Sequence, residues 1–418
     1  MAGYRRRMRD TDLYAKILGI ERPWRVSDVR LDVAGGEVEV VIEYAAGVTL
    51  ACPECGAQCP GYDSRPRRWR HLDTMQYRTI LTGEIPRVEC DEHGVRQVSV
   101  PWGEPGSRFT ALFEALAIDW LKEASLTAVA RILELTWDEA AGIQQRAVRR
   151  GLARRERRLP EHIGVDETSF QKRHEYVTVV HDQDSGDVVH IADGRKRACL
   201  EDFFAEHSAE ERSAVETVAM DMWPAYIFAT KAQIPDAVLK ICFDRFHVAQ
   251  HLSKAVDQVR RQEHRTLKEV DDDQLKGSRY LWLTSPDHMS DERWASFTEI
   301  RESALKTARA WAIKELAATL WNYRSRYWAF RAWRRWLAWA FRSRLEPIRR
   351  VARMVREHLT GIINAIVLGV TNARSEGTNA KIQWIKYTAR GYRNRERFRN
   401  AIYFHLGGLD LYPASLAR

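Results

Sequence analysis

The order of apolar and polar positions divides the chain into stretches of different period. In "GEVEVVIEYA" (residues 36–45) apolar and acidic positions alternate, which predicts a strand with one buried face. "RPRRWRHLD" and "YRTILTGEIPRVE" read as further strands of the same module. Residues 112–150 then take a helical period. In "SLTAVARILELTWDEAAGIQQRAVRR", Leu126, Val129, Ala130 and Leu133 form one apolar stripe. It breaks near Leu135-Thr136 and resumes at Trp137 and Ile143. Thr136, with Glu139 three residues on, has the form of a capping box and predicts the start of a second helix. The charged stretch "GLARRERRLPEH" (151–162) reads as a linker.

Strand patterns return after it. "HIGVDETSF", "EYVTVVHDQ" and "GDVVHIADG" are three apolar runs, and "LEDFFAEHSAEER" reads as a helix. "TVAMD" is a fourth strand, "PAYIFATKAQ" a helix, "VLKICFD" a fifth strand, and "RFHVAQHLSKAVDQVRRQ" opens a long helical stretch. The order β-β-β-α-β-α-β-α predicts three antiparallel strands joined by parallel crossovers to two more. That is an α/β core with a mixed five-stranded sheet, the element order of the ribonuclease-H-like fold. About 250–365 is helical throughout and too long for a loop, so an inserted all-α domain is expected there. Helical sequence continues to the end, with "GYRNRERFRNAIYFHL" as a basic helix.

An apolar fraction of 45% and 15 Trp in 418 residues imply a folded, multidomain chain. No run of about 18 uncharged apolar residues occurs, so no transmembrane helix and no membrane partner are expected. "MAGYRRRMRD" is basic but no apolar segment follows it, so it does not read as a signal peptide. A cytoplasmic location is expected. Six Cys suit a reduced compartment with one metal site. "CPECG" and "CDEH" place Cys52, Cys55, Cys90 and His93 as CxxC…CxxH. Two such knuckles can converge on one structural, tetrahedral Zn²⁺. Cys59 is the rival ligand with a poorer spacing, and Cys199 and Cys242 read as small buried apolar residues.

Charge adds a polyanionic partner. The chain carries +9, and residues 321–358 hold eleven Arg against two acids, Glu346 and Glu357. Trp321, Trp328, Trp333, Trp336 and Trp339 are interleaved with them. Arg324, Arg326, Arg331, Arg334 and Arg335, with Trp328, Trp333 and Trp336, are therefore candidates for phosphate contact and base stacking. The alternative is a helix with a Trp core face and a solvated Arg face. The helical pair within 112–150 ends in Arg146, Arg149 and Arg150 and looks like a helix-turn-helix contacting DNA, the alternative being a packing hairpin.

The candidate chemistry lies at strand ends. Asp166 closes the first strand, Asp221 the fourth and Asp244 the fifth. Strands one and four are expected to be neighbours, which sets two carboxylates side by side, an arrangement that divalent cations relieve. Oxygen ligands in an open site suit Mg²⁺ or Mn²⁺, and two such ions serve in-line phosphoryl displacement. Spacing leaves Glu357, Glu376 and Glu396 as candidates for a third carboxylate.

The blocks "CPECG", "IGVDETSF", "AMDMWPAY", "CFDRFHVAQHLSKAVDQVRR" and "NARSEGTNAKIQWIKYTARGYRN" occur in this order along the chain. Together they resemble a bacterial insertion-sequence transposase of the DDE type, of the ISL-three family, over essentially the whole length. The resemblance implies Asp166, Asp221 and Glu376 as a metal-binding catalytic triad. It implies Asp244 and His247 of the DxxH as groups behind it, unless His247 only caps and packs. DNA contacts follow for Lys381, Lys386 and Arg390 in the last block, where Tyr387 stands in place of an expected basic residue. The domains implied are a zinc-binding module (1–105), a helix-turn-helix (106–158), a catalytic core in two parts (159–250 and 366–418) and the all-α insertion (251–365). The function implied is metal-dependent cleavage and strand transfer at terminal inverted repeats, flanking and target DNA. A homodimer or higher synaptic complex and association with the bacterial nucleoid are implied with it. A structure-selective nuclease, or a DNA-binding regulator on an inactive fold, are the alternatives.

Overall fold

In the computed structural model, residues 8–171, 175–302, 305–370 and 373–414 are described, so the basic start of the chain, residues 1–7, lies outside them. The chain forms two compact units, Met1–Arg155 with Tyr403–His405 and Leu409–Arg418, and Glu156–Ile402 with Leu406–Gly408. The first unit therefore holds both the expected zinc module and the expected helix-turn-helix.

The first unit begins with α1 (Asp10–Ile17), then β1 (Trp24–Asp32), β2 (Glu37–Tyr44), the two-residue strands β3 (Leu50–Ala51) and β4 (Gln58–Cys59), β5 (Gly61–Arg70), β6 (Arg78–Cys90) and β7 (Gly94–Gln97). The main sheet runs β1-β2-β6-β5 with β7 paired to β6. Alternation on β2 buries Val38, Val40 and Ile42 against Leu81, Ile85 and Val88 of β6. Trp102 meets Trp24 and Trp69 edge to face, with centroids 4.9 and 5.5 Å apart.

Three helices follow: α2 (Ala111–Glu123), α3 (Leu126–Ile132) and α4 (Trp137–Arg154). Each starts on a hydroxyl cap: Thr110, Ser125 and Thr136, the last in the predicted capping box with Glu139. Helix α4 runs through Gly151 to Arg154, so the expected linker starts four residues late. Gly151 packs so closely on Leu409 that a Cβ would lie 2.7 Å from its Cβ.

The second unit opens with β8 (His162–Gln171), β9 (Glu175–Asp182), β10 (Val188–Asp193), α5 (Arg197–Ala205), α6 (Ala209–Ala214), β11 (Thr217–Met220), α7 (Pro224–Gln233), α8 (Ala237–Lys240) and β12 (Ile241–Phe243). The sheet order is β10-β9-β8-β11-β12. β8, β9 and β10 pair antiparallel, while β11 runs parallel to both β8 and β12. This is the mixed five-stranded sheet that the element order predicts. Two details differ. "LEDFFAEHSAEER" is two helices, because Ser208 ends α5's run and caps α6 in a box with Glu211. The fifth strand starts only at Ile241, because Asp236 takes a left-handed φ of 52° and starts a helical turn over Ala237–Lys240.

After β12 the described residues are helical: α9 (Arg245–Lys268), α10 (Arg279–Leu283), α11 (Asp291–Glu302), α12 (Lys306–Thr319), α13 (Arg326–Arg342), α14 (Glu346–Glu357), α15 (Leu359–Leu368), α16 (Ala373–Thr388) and α17 (Arg395–Leu406). One buried cluster runs from the sheet (Ile163, Val165, Met220, Phe243) through Trp282, Phe297, Trp333 and Trp336 to Ile362. The helical segment thus shares the core of the sheet. Asn364, buried on α15, donates to the carbonyls of Val238 and Ile241 at 2.9 and 2.8 Å and ties that helix to the start of β12. No helix among the described residues is long and apolar enough to cross a membrane.

Candidate active site

The parallel pairing of β8, β11 and β12 sets the site. Val165, Met220 and Phe243 lie in one register line across the three strands. The next residue in each strand is an aspartate: Asp166, Asp221 and Asp244. Parallel strands deliver these carboxylates to one edge, where the apolar side chains before them are buried and the acids are only partly so. Burial, together with the charge of Asp221, pushes the Asp166 carboxyl up to about 7, against a backbone bond from Glu167 that lowers it. Burial also raises Glu167, opposed by Arg195. His247, in the first turn of α9, ion-pairs with Asp221. Burial disfavours its imidazolium, but the bond to Asp221 and the charges of Asp221, Asp244 and Asp166 outweigh that and raise its pKa.

Helix α16 is strapped along β8. Ser375 Oγ lies 3.1 Å from His181 Nε2, Asn379 donates to Asp166 Oδ2 at 2.6 Å, and Gln383 donates to Thr168 Oγ1 at 2.9 Å. Lys386 donates to the Ser169 carbonyl at 2.6 Å. From Asn379 to Gln383 the helix advances about 6 Å and from Asp166 to Thr168 the strand advances about 6.6 Å, so these two contacts keep step. Burial lowers His181 to about 4, which keeps it a neutral imidazole under the helix start. Its ring lies over Gly164, where a Cβ would come within 2.1 Å of it.

Glu376 sits on this strap, exposed, three residues before Asn379. Of the rival third acids, Glu357 ends α14 and Glu396 opens α17. Asp166, Asp221 and Glu376 are not drawn to mutual ligand distance among the described residues. Asp166 is held by Asn379 and Asp221 by His247, an arrangement that suits unshielded like charges. Residue spacing alone did not reveal the partners Asn379, Gln383 and His181. The polar line Ser375–Asn379–Gln383–Lys386 is the only sequence signal for the strap, and His181 gave none. Arg195 was missed as well. It pairs with Glu167 at 3.4 Å and is sandwiched 4.7 and 4.6 Å from the rings of Tyr176 and Trp223.

A buried carboxyl raised from the ordinary 3.8 to about 7 gives stability that is complete below about pH 4 and lost as pH rises through 7. Metal-free Asp166→Asn is therefore expected to be the more stable protein at about pH 8, by up to about 4 kcal/mol, with the advantage shrinking toward pH 4. Thermal melts of both proteins across that range measure it; parallel curves would contradict it.

In the first unit, the ligand atoms of Cys52, Cys55, Cys90 and His93 all lie within 4.8 Å of one another. Cys55 Sγ–Cys90 Sγ is 3.7 Å, Cys52 Sγ–His93 Nδ1 3.8 Å and Cys90 Sγ–His93 Nδ1 3.6 Å. A zinc tetrahedron with bonds of about 2.3 Å has edges of about 3.7 Å, so the four donors fit that ion. Gly56 and Gly94, at φ 73° and 66°, directly follow the second ligand of each knuckle and let the chain turn back there. The amides of His93 and Glu92 and the His93 ring hold the Cys90 thiol down to about 6. Cys59 is not in the cluster.

The basic candidates divide by burial. Arg146 and Arg150 turn inward onto Glu114, which is 1% exposed, at 2.5 and 2.9 Å. Arg150 also holds Glu104, and Ser107 donates to Glu114 at 2.8 Å. These two arginines hold the helical module together, and of the three only Arg149 is exposed. Glu114→Ala leaves half-buried Arg146 without its carboxylate and Arg150 with Glu104 alone, and is expected to cost about 3 kcal/mol, read by urea unfolding; a loss below about 1 kcal/mol would contradict the network.

Trp333 and Trp336 are 0% and 1% exposed, and Trp336 Nε1 donates to the Ile313 carbonyl. They belong to the core, not to a DNA face. Arg326 is exposed but donates to Asn364 at 2.9 Å. Arg324, Arg331, Arg334 and Arg335 remain on the outer face, with Arg331 stacked over Trp328 at 5.5 Å. Lys381 and Arg390 are exposed, whereas Lys386 is committed to β8.

Three models of known families match the chain. Residues 163–402 match the DDE transposase family ISL3, described as "Transposase". Residues 49–93 match the "zinc-finger of transposase IS204/IS1001/IS1096/IS1165", and residues 98–148 the "helix-turn-helix domain of transposase family ISL3". The chain belongs to the ISL3 transposase family. It is 28% identical to the "Transposase for insertion sequence element IS1557" of Mycobacterium tuberculosis, over 93% of each chain. It is 27% identical to the "Transposase for insertion sequence element IS1001" of Bordetella parapertussis, over 87% of this chain and 90% of that one. With its zinc-ribbon, helix-turn-helix and transposase domains, this is a DNA-binding transposase.

Proposed function

We propose that the protein cleaves DNA at the terminal inverted repeats of an insertion sequence and joins the freed 3′-hydroxyl to target DNA, with Asp166, Asp221 and Glu376 as the acidic triad of a ribonuclease-H-like core. The observation that carries this reading is the register line Val165–Met220–Phe243, followed in every strand by Asp. Glu376 is the third acid in this reading because its helix hydrogen-bonds Asp166. The carboxylates would hold Mg²⁺ or Mn²⁺, for which crowded, anionic oxygen donors are suited. Two such ions, when bound, supply charge neutralisation and an activated water for displacement at phosphorus.

The chain's own residues prepare that site. Asp166, raised to about 7, must lose its proton to serve as a ligand, and Asn379 keeps one of its oxygens oriented meanwhile. His247 fixes Asp221 from behind. Asp244 adds negative charge that, with Asp221, favours the protonated form of His247. No Ser or Tyr nucleophile is invoked: water attacks the phosphorus and the P–O3′ bond breaks, and the released 3′-hydroxyl then attacks a target phosphodiester, whose own P–O3′ bond breaks to leave a target 3′-hydroxyl.

The Cys₃His cluster would hold one structural Zn²⁺, and the zinc module with the helix-turn-helix would read the terminal repeats. The segment between β12 and α16 would be the all-α insertion, and holding two element ends together would take a homodimer or larger synaptic complex on the nucleoid. The outer Arg face of α13 would contact DNA backbone. Arg331, Arg334 and Arg335 changed to Ala together should reduce the salt slope of DNA binding by about 2–3. An unchanged slope would make it a solvated face. The reading as a whole is tested by an excision and joining assay on DNA carrying the element's own ends. Joined product that requires divalent metal supports it, and cleavage without joining would leave a nuclease.

A further inference from the structure

Helix α16 has a second face that the strap to β8 leaves open. At 100° per residue, positions 376, 380, 384 and 387 fall within about 80° of arc. All four, Glu376, Ala380, Trp384 and Tyr387, are exposed. Trp384 is 64% and Tyr387 76% exposed, unusual for rings of this size on a helix whose other face is packed. The two rings stack on each other, with centroids 5.8 Å apart and planes inclined by 28°. They form one exposed aromatic ledge, with small, exposed Ala380 between it and Glu376 along the helix.

The surroundings define the occupant. Lys381 stands three residues before Trp384 and Arg390 three after Tyr387, both exposed. From Arg374 to Arg399 the chain carries eight basic residues against two acids, Glu376 and Glu396. A flat aromatic surface flanked by cations matches a nucleobase on its phosphate chain better than an apolar protein partner. At a rise of about 1.5 Å per residue, Trp384 and Tyr387 lie about 12 and 16 Å along the helix from Glu376. At about 3.4 Å per nucleotide step that is some four or five nucleotides. A base inside a duplex has both faces covered by its neighbours, so a ledge lying along the strand needs an unpaired one.

We propose that Trp384 and Tyr387 form a stacking site for an unpaired base of the DNA strand that enters the acidic edge, four or five nucleotides from the reacting phosphate. The site positions the strand and takes no part in bond making or breaking. This inference rests on the transposase reading, but its test needs no chemistry. The full chain is titrated, without added divalent metal, with a duplex carrying a short thymidine tail that contains one 2-aminopurine. The blunt duplex and a duplex with an abasic tail are the controls.

The wild-type protein is expected to bind the tailed duplex about 10-fold more tightly than the blunt one, the gain of one stacked base. The 2-aminopurine fluorescence falls as it stacks, and the abasic tail loses the preference. Trp384→Ala with Tyr387→Ala abolishes both preference and quenching, while the salt slope stays at the wild-type value. Trp384→Phe with Tyr387→Phe restores the preference in part. Equal affinity of the wild-type protein for tailed, abasic and blunt DNA would overturn the proposal. So would quenching that survives both alanine substitutions. Should the alanine pair fail to fold, the abasic tail on the wild-type protein decides alone. Failure here leaves the role of Asp221 untouched, and failure of Asp221→Asn to lose joining would leave the ledge intact as a binding site.

Discussion

Asp221→Asn is expected to lower DNA joining by about 10³-fold or more, a loss of about 4 kcal/mol of transition-state stabilisation. Asparagine keeps the shape of the side chain and an oxygen that can accept from His247, so the fold is retained. What it removes is the negative charge at the centre of the Asp166–Asp221–Asp244 line. The neighbours respond in a defined direction. His247 keeps an acceptor but loses the Asp221 charge that favours its protonation, and Asp166 loses the like charge that raises it. Joining rates on a fixed DNA substrate, with melting curves to establish folding, measure the effect. A loss below about 10-fold would remove Asp221 from the chemistry.

The second large effect concerns the zinc cluster. Chelation, or Cys52→Ser with Cys90→Ser, is expected to unfold the knuckles and abolish specific DNA binding. The strands β3 and β4 have two residues each and cannot stand without a cross-link. Zinc binding in small fingers is worth about 10–16 kcal/mol and is largely folding energy, so little else holds this segment. The three-tryptophan core around Trp102 lies on the sheet of the same unit and should survive. Limited proteolysis should therefore cut near residues 50–60 first while α2–α4 resist. Metal analysis finding no zinc in the purified protein, or full zinc retention in the double variant, would contradict this.

How far the sequence led can be judged residue by residue. Strand patterns and their crossovers are local, periodic signals, so the five-stranded sheet and the capping box at Thr136 were legible. The knuckles were legible because ligand spacing is itself the signal. Burial direction was not. Arg146 and Arg150 read as a basic helix end, yet their partners Glu114 and Glu104 lie more than thirty residues away in sequence. Trp333 and Trp336 read as stacking rings because the Arg-rich composition of α13 is the same whichever face meets the core. The start of β12 was misplaced because "VLK" is as apolar as a strand, and a single left-handed residue at Asp236 decides it. The strap of α16 on β8 joins residues about 200 apart, which no local pattern encodes.

The central claim is that Asp166 and Asp221, at neighbouring strand ends, form a metal site with Glu376. Calorimetric titration of the zinc-loaded protein with Mn²⁺ tests it most directly, because it needs neither DNA nor turnover. Saturable Mn²⁺ binding by the wild-type chain that disappears in Asp166→Ala with Asp221→Ala is the predicted result. Binding that survives both substitutions would place the metal elsewhere and contradict the account.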